Sequence, residues 1–277
     1  MIRLAPLLHY HTPWVQGVCA ADPAGTITIQ RLVDGAGTAQ IDARSGVLWG
    51  TVSEQGRALP PESVFWIGYS VTPLTPSLNG VADVASLLNR RGRYPCSLVG
   101  HREPVLDVYR RLVWGPPRGV RPHQPLLVAC EPPDVDEIPV RVARTDEYAQ
   151  VYDASVAMFK EEVGFSPEQP NPSGYRARVR SLLTGGHTLV LSDGNTLIFK
   201  ADLGVISSRA VQVQGVWVHP AYRGQGIASR AMVSVTRHAL AYAPTVSLYV
   251  NSFNTSALGA YARAGYRQIG EFATVMY

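Results

Sequence analysis

Residues 216–235 read VWVHPAYRGQGIASRAMVSV. An apolar alternation, Val216, Trp217, Val218, passes through Pro220 into Arg223-Gly224-Gln225-Gly226. A helical pattern follows, with Ile227, Ala231, Val235 and Ala239 on one face. Glycine between a strand and a helix costs conformational entropy, so something must need the bare backbone. The first-turn N–H groups of a helix have no intrahelical partner. Together with the positive end of the helix dipole they suit a phosphate or pyrophosphate. Gly226 allows close approach, Ala228 keeps the next contact small, and Arg223 adds a cation. Taken alone, the turn reads equally well as an anion site or as an ordinary strand-to-helix connection. A P-loop is absent, and Gly-Gln-Gly lacks the third glycine of a dinucleotide fingerprint.

The surroundings are those of an α/β chain. "PVRVAR" (139–144) is strand-like. Thr145 is placed to cap a helix with Asp146 and Glu147 in its first turn. "GYRARVRSLLTGG" (174–186) is a second helix closed by glycines. "HTLVLSDGNTLIFKADLG" (187–204) is a hairpin turning at Asp193-Gly194. "TVSLYVN" (245–251) is a strand, Asn254 caps a helix that ends before Gly265, and "YRQIGEFATVMY" (266–277) closes the chain as a strand. The second half is thus ordered β-α-α-β-β-β-α-β-α-β. In the first half, "ESVFWIGYSVTPL" (62–74), "GVADVASLLNRR" (80–91), "YPCSLVGH" (94–101) and "EPVLDVYRRL" (103–112) give strand, helix, strand, helix.

Two prolines, Pro132 and Pro133, followed by Asp134, Asp136 and Glu137, mark the best boundary. They divide the chain into domains 1–137 and 138–277. The composition, 46% hydrophobic and 17% charged, is that of a globular protein. No apolar run is long enough to span a bilayer, and the N-terminus makes a poor secretory signal. The sequence therefore reads as cytoplasmic, with no membrane partner. Cys19, Cys96 and Cys130 give neither a disulfide framework nor a zinc pattern, so no metal is expected. The net charge of +4 arises entirely after Glu137, where 13 basic residues face 9 acidic ones. That suits an anionic ligand better than a nucleic-acid track, which needs clustered charge.

Arg223-Gly224-Gln225-Gly226-Ile227-Ala228 matches R-x-x-G-x-A, the acyl-CoA pyrophosphate motif of GNAT (Gcn5-related) N-acetyltransferases. Downstream, "NTSALGAYARAGY" resembles that family's N-x-x-A-x-x-x-Y-x-x-x-G-[FY] segment, with Asn254, Ala257, Tyr261, Gly265 and Tyr266 in register. The resemblance covers residues 139–277. It implies a GNAT fold there, a mixed and mostly antiparallel sheet flanked by helices. The first half lacks the motif but resembles the uncharacterised domain that precedes GNAT domains in some bacterial proteins, and reads either as an α/β, degenerate GNAT-like domain or as an unrelated small α/β domain.

The resemblance further implies acetyl-CoA as co-substrate. Its pyrophosphate would lie on the backbone of Arg223 to Ala228, and its pantetheine arm beside Val216, Trp217 and Val218. Asn254 touches the pantetheine region in the family. A splay in the sheet would free an N–H near Trp217 or Val218, and Gly215 favours a bulge there. Trp217 equally reads as packing, and Asn254 as a plain helix cap. Tyr261 takes the position of the general acid in many relatives, though its helix face also suits a packing aromatic. The base is less marked. Many relatives carry a fourth-strand glutamate where this chain has Gln212 and Gln214, which accept no proton at neutral pH. Glu161 and Glu162, at the end of the first helix of the second half, could serve as base or amine anchor, or simply form a solvated helix end. Arg176, Arg178 and Arg180 spread around a helix. Bordering the cleft, they would favour an acidic acceptor or the 3′-phosphate of CoA.

The sequence thus points to an N-acyltransferase acting on an amine of a small molecule, protein or peptide. A non-catalytic acyl-CoA-binding regulatory module is the alternative.

Overall fold

A computed structural model describes residues 2–42, 46–53, 63–93, 97–169 and 172–277. Cys96, Glu62 and the start of the 94–101 run lie outside the described residues. The first half contains β1 (Ile2–Pro6), α1 (Thr12–Ala21), α2 (Ile27–Ala36), β2 (Gly46–Ser53), β3 (Val64–Gly68), β4 (Ser70–Pro73), α3 (Val81–Arg91), β5 (Ser97–His101), α4 (Arg102–Arg111) and β6 (Gly119–Ala129). The second contains β7 (Arg141–Val142), α5 (Tyr148–Val163), α6 (Pro172–Thr184), β8 (Thr188–Asp193), β9 (Thr196–Ile206), β10 (Val211–Val218), α7 (Ile227–Leu240), β11 (Val246–Tyr249), α8 (Thr255–Arg263) and β12 (Arg267–Met276). The order β-α-α-β-β-β-α-β-α-β therefore occurs twice, and the second occurrence matches the sequence reading element for element.

All strands join one twelve-stranded sheet, ordered β1-β2-β3-β4-β5-β12-β6-β11-β10-β9-β8-β7. It is antiparallel except at β4/β5 and β10/β11, the equivalent places in the two halves. The halves exchange their last strands. β12 lies between β5 and β6, with Val275 opposite Leu98 and Arg267 opposite Val128. β6 in turn pairs with β11, Tyr249 opposite Leu126. The motif-free first half thus repeats the topology of the second.

Strand alternation divides the core between the two faces of the sheet. In the second half, Val151 and Ala154 of α5 and Val179 and Leu183 of α6 pack on Val190, Leu197 and Trp217. On the other face, Ala231, Val235 and Ala239 of α7 and Tyr261 of α8 pack on Phe199, Val211, Val213 and Leu248. The buried stripe read from the sequence holds at those three α7 positions, while Ile227 is only partly covered.

Three local readings need correction. Residues 62–74 are not one strand: β3 and β4 form a hairpin around Tyr69, pairing Ile67 with Val71. The strand at 139–144 is reduced to Arg141–Val142. Thr145 does not cap a helix directly, because Thr145–Glu147 form a 3-10 turn before α5. Glu147 takes over the cap. Its carboxylate accepts from the Arg144 N–H (2.7 Å) and from both terminal nitrogens of Arg141 (2.8 and 2.7 Å). The Arg141 guanidinium holds this carboxyl down to about 2.

Candidate active site

β10 and β11 pair only at Val211/Val246 and Gln212/Ser247 and then diverge. Along its other edge, β10 carries a bulge. Gln214 faces Asp202 and the next paired residue, Trp217, faces Lys200, so Gly215 and Val216 together oppose Ala201. Gly215 sits at φ +59°, in the left-handed region. A Cβ there would meet Asp202 Oδ2 at 2.6 Å and Lys200 Nζ at 3.1 Å, so the bulge needs glycine for space as well as for conformation.

Those two atoms belong to a buried ion pair. Lys200 is wholly inaccessible. Its Nζ donates to Asp202 Oδ2 (2.6 Å) and to the Gly215 carbonyl (3.1 Å), and Thr188 Oγ1 donates to Asp202 Oδ1 (2.8 Å). The charges are paired and hydrogen-bonded, as buried charges must be. Sequence reasoning missed this support. Its signal was a lysine and an aspartate two residues apart, hence on one face, in the otherwise apolar "TLIFKADLGVI".

The splay opens a cavity of about 520 Å³. It is lined by Val216, Trp217 and Val218 from β10, by Arg223, Gly224, Gly226, Ile227 and Ala228 from the turn, by Asn254 and Tyr261 at α8, and by Glu161 and Glu162 at the end of α5. Gln225 does not line it, its side chain turning back to the Ala221 carbonyl, and neither do Gln212, Gln214, Arg176, Arg178 and Arg180.

Gly224 and Gly226 sit at φ +76° and +73°, and Gly226 is the N-cap of α7. A Cβ on either would meet nothing within 4 Å. The space over the helix N-terminus is open, the geometry an anion needs. The first half supplies a contrast. Gly80 caps α3 at φ +74°, yet a Cβ there would meet Ser63 Oγ at 2.9 Å and Thr51 Cγ2 at 3.0 Å. Its own side chains occupy the equivalent cradle.

The two glutamates are placed differently. Glu161 reaches across the mouth to Arg223, whose Nη2 lies 3.0 and 2.9 Å from its oxygens while Nε donates to the Val218 carbonyl. Glu162 has accessible surface that opens into the cleft. Crowding by the cleft walls pushes its carboxyl above the usual glutamate range, with the Arg121 charge opposing. Arg121 belongs to β6 and donates Nη2 to the Glu162 carbonyl oxygen (2.8 Å).

Tyr261 is buried, and among the described residues nothing hydrogen-bonds its phenol. Burial, and secondarily the Glu162 charge, push its pKa up, so the phenol keeps its proton. Tyr266 differs, bonding Thr236 Oγ1 at 2.9 Å. Asn254 is a helix cap: its Oδ1 accepts from the Ala257 N–H (3.1 Å). Trp217 is nine-tenths buried in the α5–α6 core, and its indole N–H has no partner among the described residues. Gln214 donates to Gln212 Oε1 (2.6 Å) and accepts from Arg178 Nη2 (2.8 Å). Arg176 and Arg180 lie instead over the rings of Tyr152 and Tyr148.

The first half also braces Asn251, which lines the cavity, and its neighbours, which the sequence did not reveal. Gln124 of β6 donates to Asn251 Oδ1 (3.2 Å) and accepts from Thr274 Oγ1 (2.6 Å). The N–H groups of Val250 and Ser252 donate to the carbonyls of Pro125 and His123. Among the described residues, no helix is long and apolar enough to cross a membrane, and no group of three or more His, Cys, Asp and Glu stands where a metal ion could be held.

Comparison with known proteins agrees with this geometry. Residues 151–266 match the acetyltransferase (GNAT) family, and residues 46–151 match a domain of unknown function, DUF4081. Solved structures share the fold over nearly the whole chain. A Drosophila protein superposes with a TM-score of 0.64 at 14% identity, covering 100% of this chain and 99% of its own. A GCN5-related N-acetyltransferase from Sphaerobacter thermophilus gives 0.56 at 14%, covering 100% and 95%. A GNAT-family acetyltransferase from Colwellia psychrerythraea gives 0.55 at 12%, covering 99% of each. None of the curated proteins matches the sequence. Residues 151–266 thus carry a match to the acetyltransferase (GNAT) family, preceded by a match to the DUF4081 domain at residues 46–151.

Proposed function

We propose that the protein is an acetyl-CoA-dependent N-acyltransferase that moves an acetyl group directly to an amine within a ternary complex. Residues 138–277 form the catalytic domain, and residues 1–137 form a degenerate partner whose β6 braces the 250–252 segment beside the cavity. One observation carries this reading: the open glycine cradle at the N-terminus of α7 runs into the same cavity that Glu162 and Tyr261 line.

Acetyl-CoA, when bound, supplies a thioester whose acetyl carbon takes the amine nitrogen as its bond to sulfur breaks. The backbone N–H groups of the 223–228 turn and the dipole of α7 hold the pyrophosphate. The edge of β10 freed by the splay, along Val216 to Val218, orients the pantetheine arm and offers an N–H to the carbonyl oxygen. Held by Lys200, the bulge at Gly215 fixes that edge in place. Glu162 binds the ammonium of the acceptor and takes its proton at the carboxylate; its raised pKa suits it to that exchange. Tyr261 gives its phenolic proton to the departing sulfur. Holding both partners in one cleft supplies much of the rate through proximity.

Thiol release from acetyl-CoA, measured over a panel of amines, tests the reading. Tyr261→Phe should lower kcat by about 10²-fold or more, the lower range for a positioned acid, with CoA affinity retained. The amide side chains at Gln212 and Gln214 favour the alternative, a non-catalytic acyl-CoA-binding module. Tight CoA binding with no thiol released by any amine would establish that alternative.

A further inference from the structure

Four charged side chains line the cavity: Glu161 and Glu162 from α5, Arg223 from the glycine turn and Arg263 from α8. Glu161 and Arg223 pair with each other. The two left over, Glu162 and Arg263, approach from opposite faces of the sheet, since α5 packs on one face and α7 and α8 on the other. Arg263 therefore stands on the same face as the open glycine cradle at the N-terminus of α7. The arginines of α7 itself are spent, Arg230 on Asp136 (2.6 Å) and Arg237 on Glu137 (3.3 Å). Among the described residues Arg263 makes no ion pair, and the cavity-lining residues of α7 and α8 include no carboxylate. Arg263 lies back along its own helix, over Gly259 one turn earlier. A Cβ at Gly259 would stand 3.4 Å from Nη1 and 3.9 Å from Nη2. Glycine inside a helix is unfavourable relative to alanine; here it leaves the guanidinium room beside the cavity.

Coenzyme A carries two separate anions on one ribose, the pyrophosphate at its 5′ carbon and a monophosphate at its 3′ carbon. A pyrophosphate seated in the glycine cradle brings the second anion within one sugar ring of it. The cradle offers only backbone N–H groups. A monophosphate with close to two negative charges calls for a cation, and the guanidinium fork matches phosphate oxygens through paired donors. We infer that Arg263 binds the 3′-phosphate of CoA and makes the cleft select CoA over its 3′-dephospho form. This rests on the acyl-CoA reading above. The arginines that the sequence offered for this phosphate, Arg176, Arg178 and Arg180, belong to α6 on the other face of the sheet, and none of them lines the cavity. Arg178 is held by Gln214, while Arg176 and Arg180 lie over the rings of Tyr152 and Tyr148.

Calorimetric titration with CoA and with 3′-dephospho-CoA, which differ in that phosphate alone, tests the assignment. The wild type should bind CoA about five- to tenfold more tightly, the effect of one arginine–phosphate pair that stays open to solvent. Arg263→Gln should weaken CoA binding by that factor and leave the Kd of 3′-dephospho-CoA unchanged, which also verifies that the variant is folded. Arg263→Lys should keep part of the preference, because the charge stays while the fork is lost. Equal affinities for the two ligands in the wild type, or an undiminished preference in Arg263→Gln, would overturn the inference. Thiol release from acetyl-CoA by the wild type would then leave the acetyltransferase reading intact. Binding of neither ligand would overturn that reading, and this inference with it.

Discussion

Arg223 and Glu161 bridge the mouth of the cleft, with Arg223 Nη2 lying 3.0 and 2.9 Å from the two carboxylate oxygens. The arginine of the glycine turn is thus already committed to an anion of the protein itself. Both side chains are about half exposed, so the pair contributes roughly 0.2–1 kcal/mol. In the proposed acetyl-CoA complex, the pyrophosphate would compete with Glu161 for that cation. Glu161→Gln should therefore tighten acetyl-CoA binding, by up to about fivefold, and Arg223→Ala should weaken it. Calorimetric titration reads both. Weaker binding in Glu161→Gln would show that the carboxylate positions the arginine and does not compete for it.

The two helix-capping glycines should respond in opposite ways. Gly226→Ala puts a methyl group into open space at φ +73°, costing about 1–2 kcal/mol of backbone strain. Its main effect should fall on acetyl-CoA affinity, with Kd raised about tenfold or more by a methyl group where the pyrophosphate approaches. Gly80→Ala adds a clash with Ser63 and Thr51 to the same strain. It should lower the melting temperature further and leave the CoA Kd alone. Equal loss of affinity in the two variants would contradict the assignment of the cradle to the second half.

The Lys200–Asp202 pair should behave as a buried ion pair does. Lys200→Met leaves Asp202 without its cation and should cost about 3–5 kcal/mol. The double variant Lys200→Met/Asp202→Leu removes both charges and should recover much of that loss. Thermal or denaturant unfolding provides the comparison. A double variant no more stable than the single one would mean that the pair does more than satisfy itself.

Glu147 sets an acid limit on stability. Its carboxyl is held at about 2 in the folded protein, below its value in an unfolded chain. The stabilisation is complete above the unfolded glutamate pKa and is lost as pH falls from there through about 2. Glu147→Gln should therefore lower stability at neutral pH by about 2 kcal/mol and flatten the loss on acidification. Unfolding midpoints measured from neutral pH downward give both quantities.

The second half was legible because its signals are local. Glycines at 224 and 226 stand where the backbone must enter the left-handed region, and Asn254 and Gly265 bracket a helix by capping chemistry that any reader of sequence can apply. The strand exchange was not legible. "GVRPHQPLLVA" and "RQIGEFATVM" alternate as strands do, but alternation does not specify which neighbour a strand takes. Arg121 and Gln124 were missed for the same reason, since they reach Glu162 and Asn251 only because β6 crosses into the second half. That exchange also bears on any attempt to study residues 138–277 alone: β12 would lose both neighbours, β5 and β6, and should not hold its place.

In the proposed mechanism Glu162 is where donor and acceptor chemistry meet, so its removal tests the account most directly. The measurement is kcat/KM for thiol release against pH, with acetyl-CoA and an amine acceptor, for the wild type and Glu162→Gln. In the wild type the rate should rise through a pKa above the usual glutamate range, because only the ionised carboxylate accepts the proton. Glu162→Gln should lose that rise and about 10²–10⁴-fold in rate while binding CoA as before. A variant with the wild-type rate and the wild-type pH profile would contradict the account.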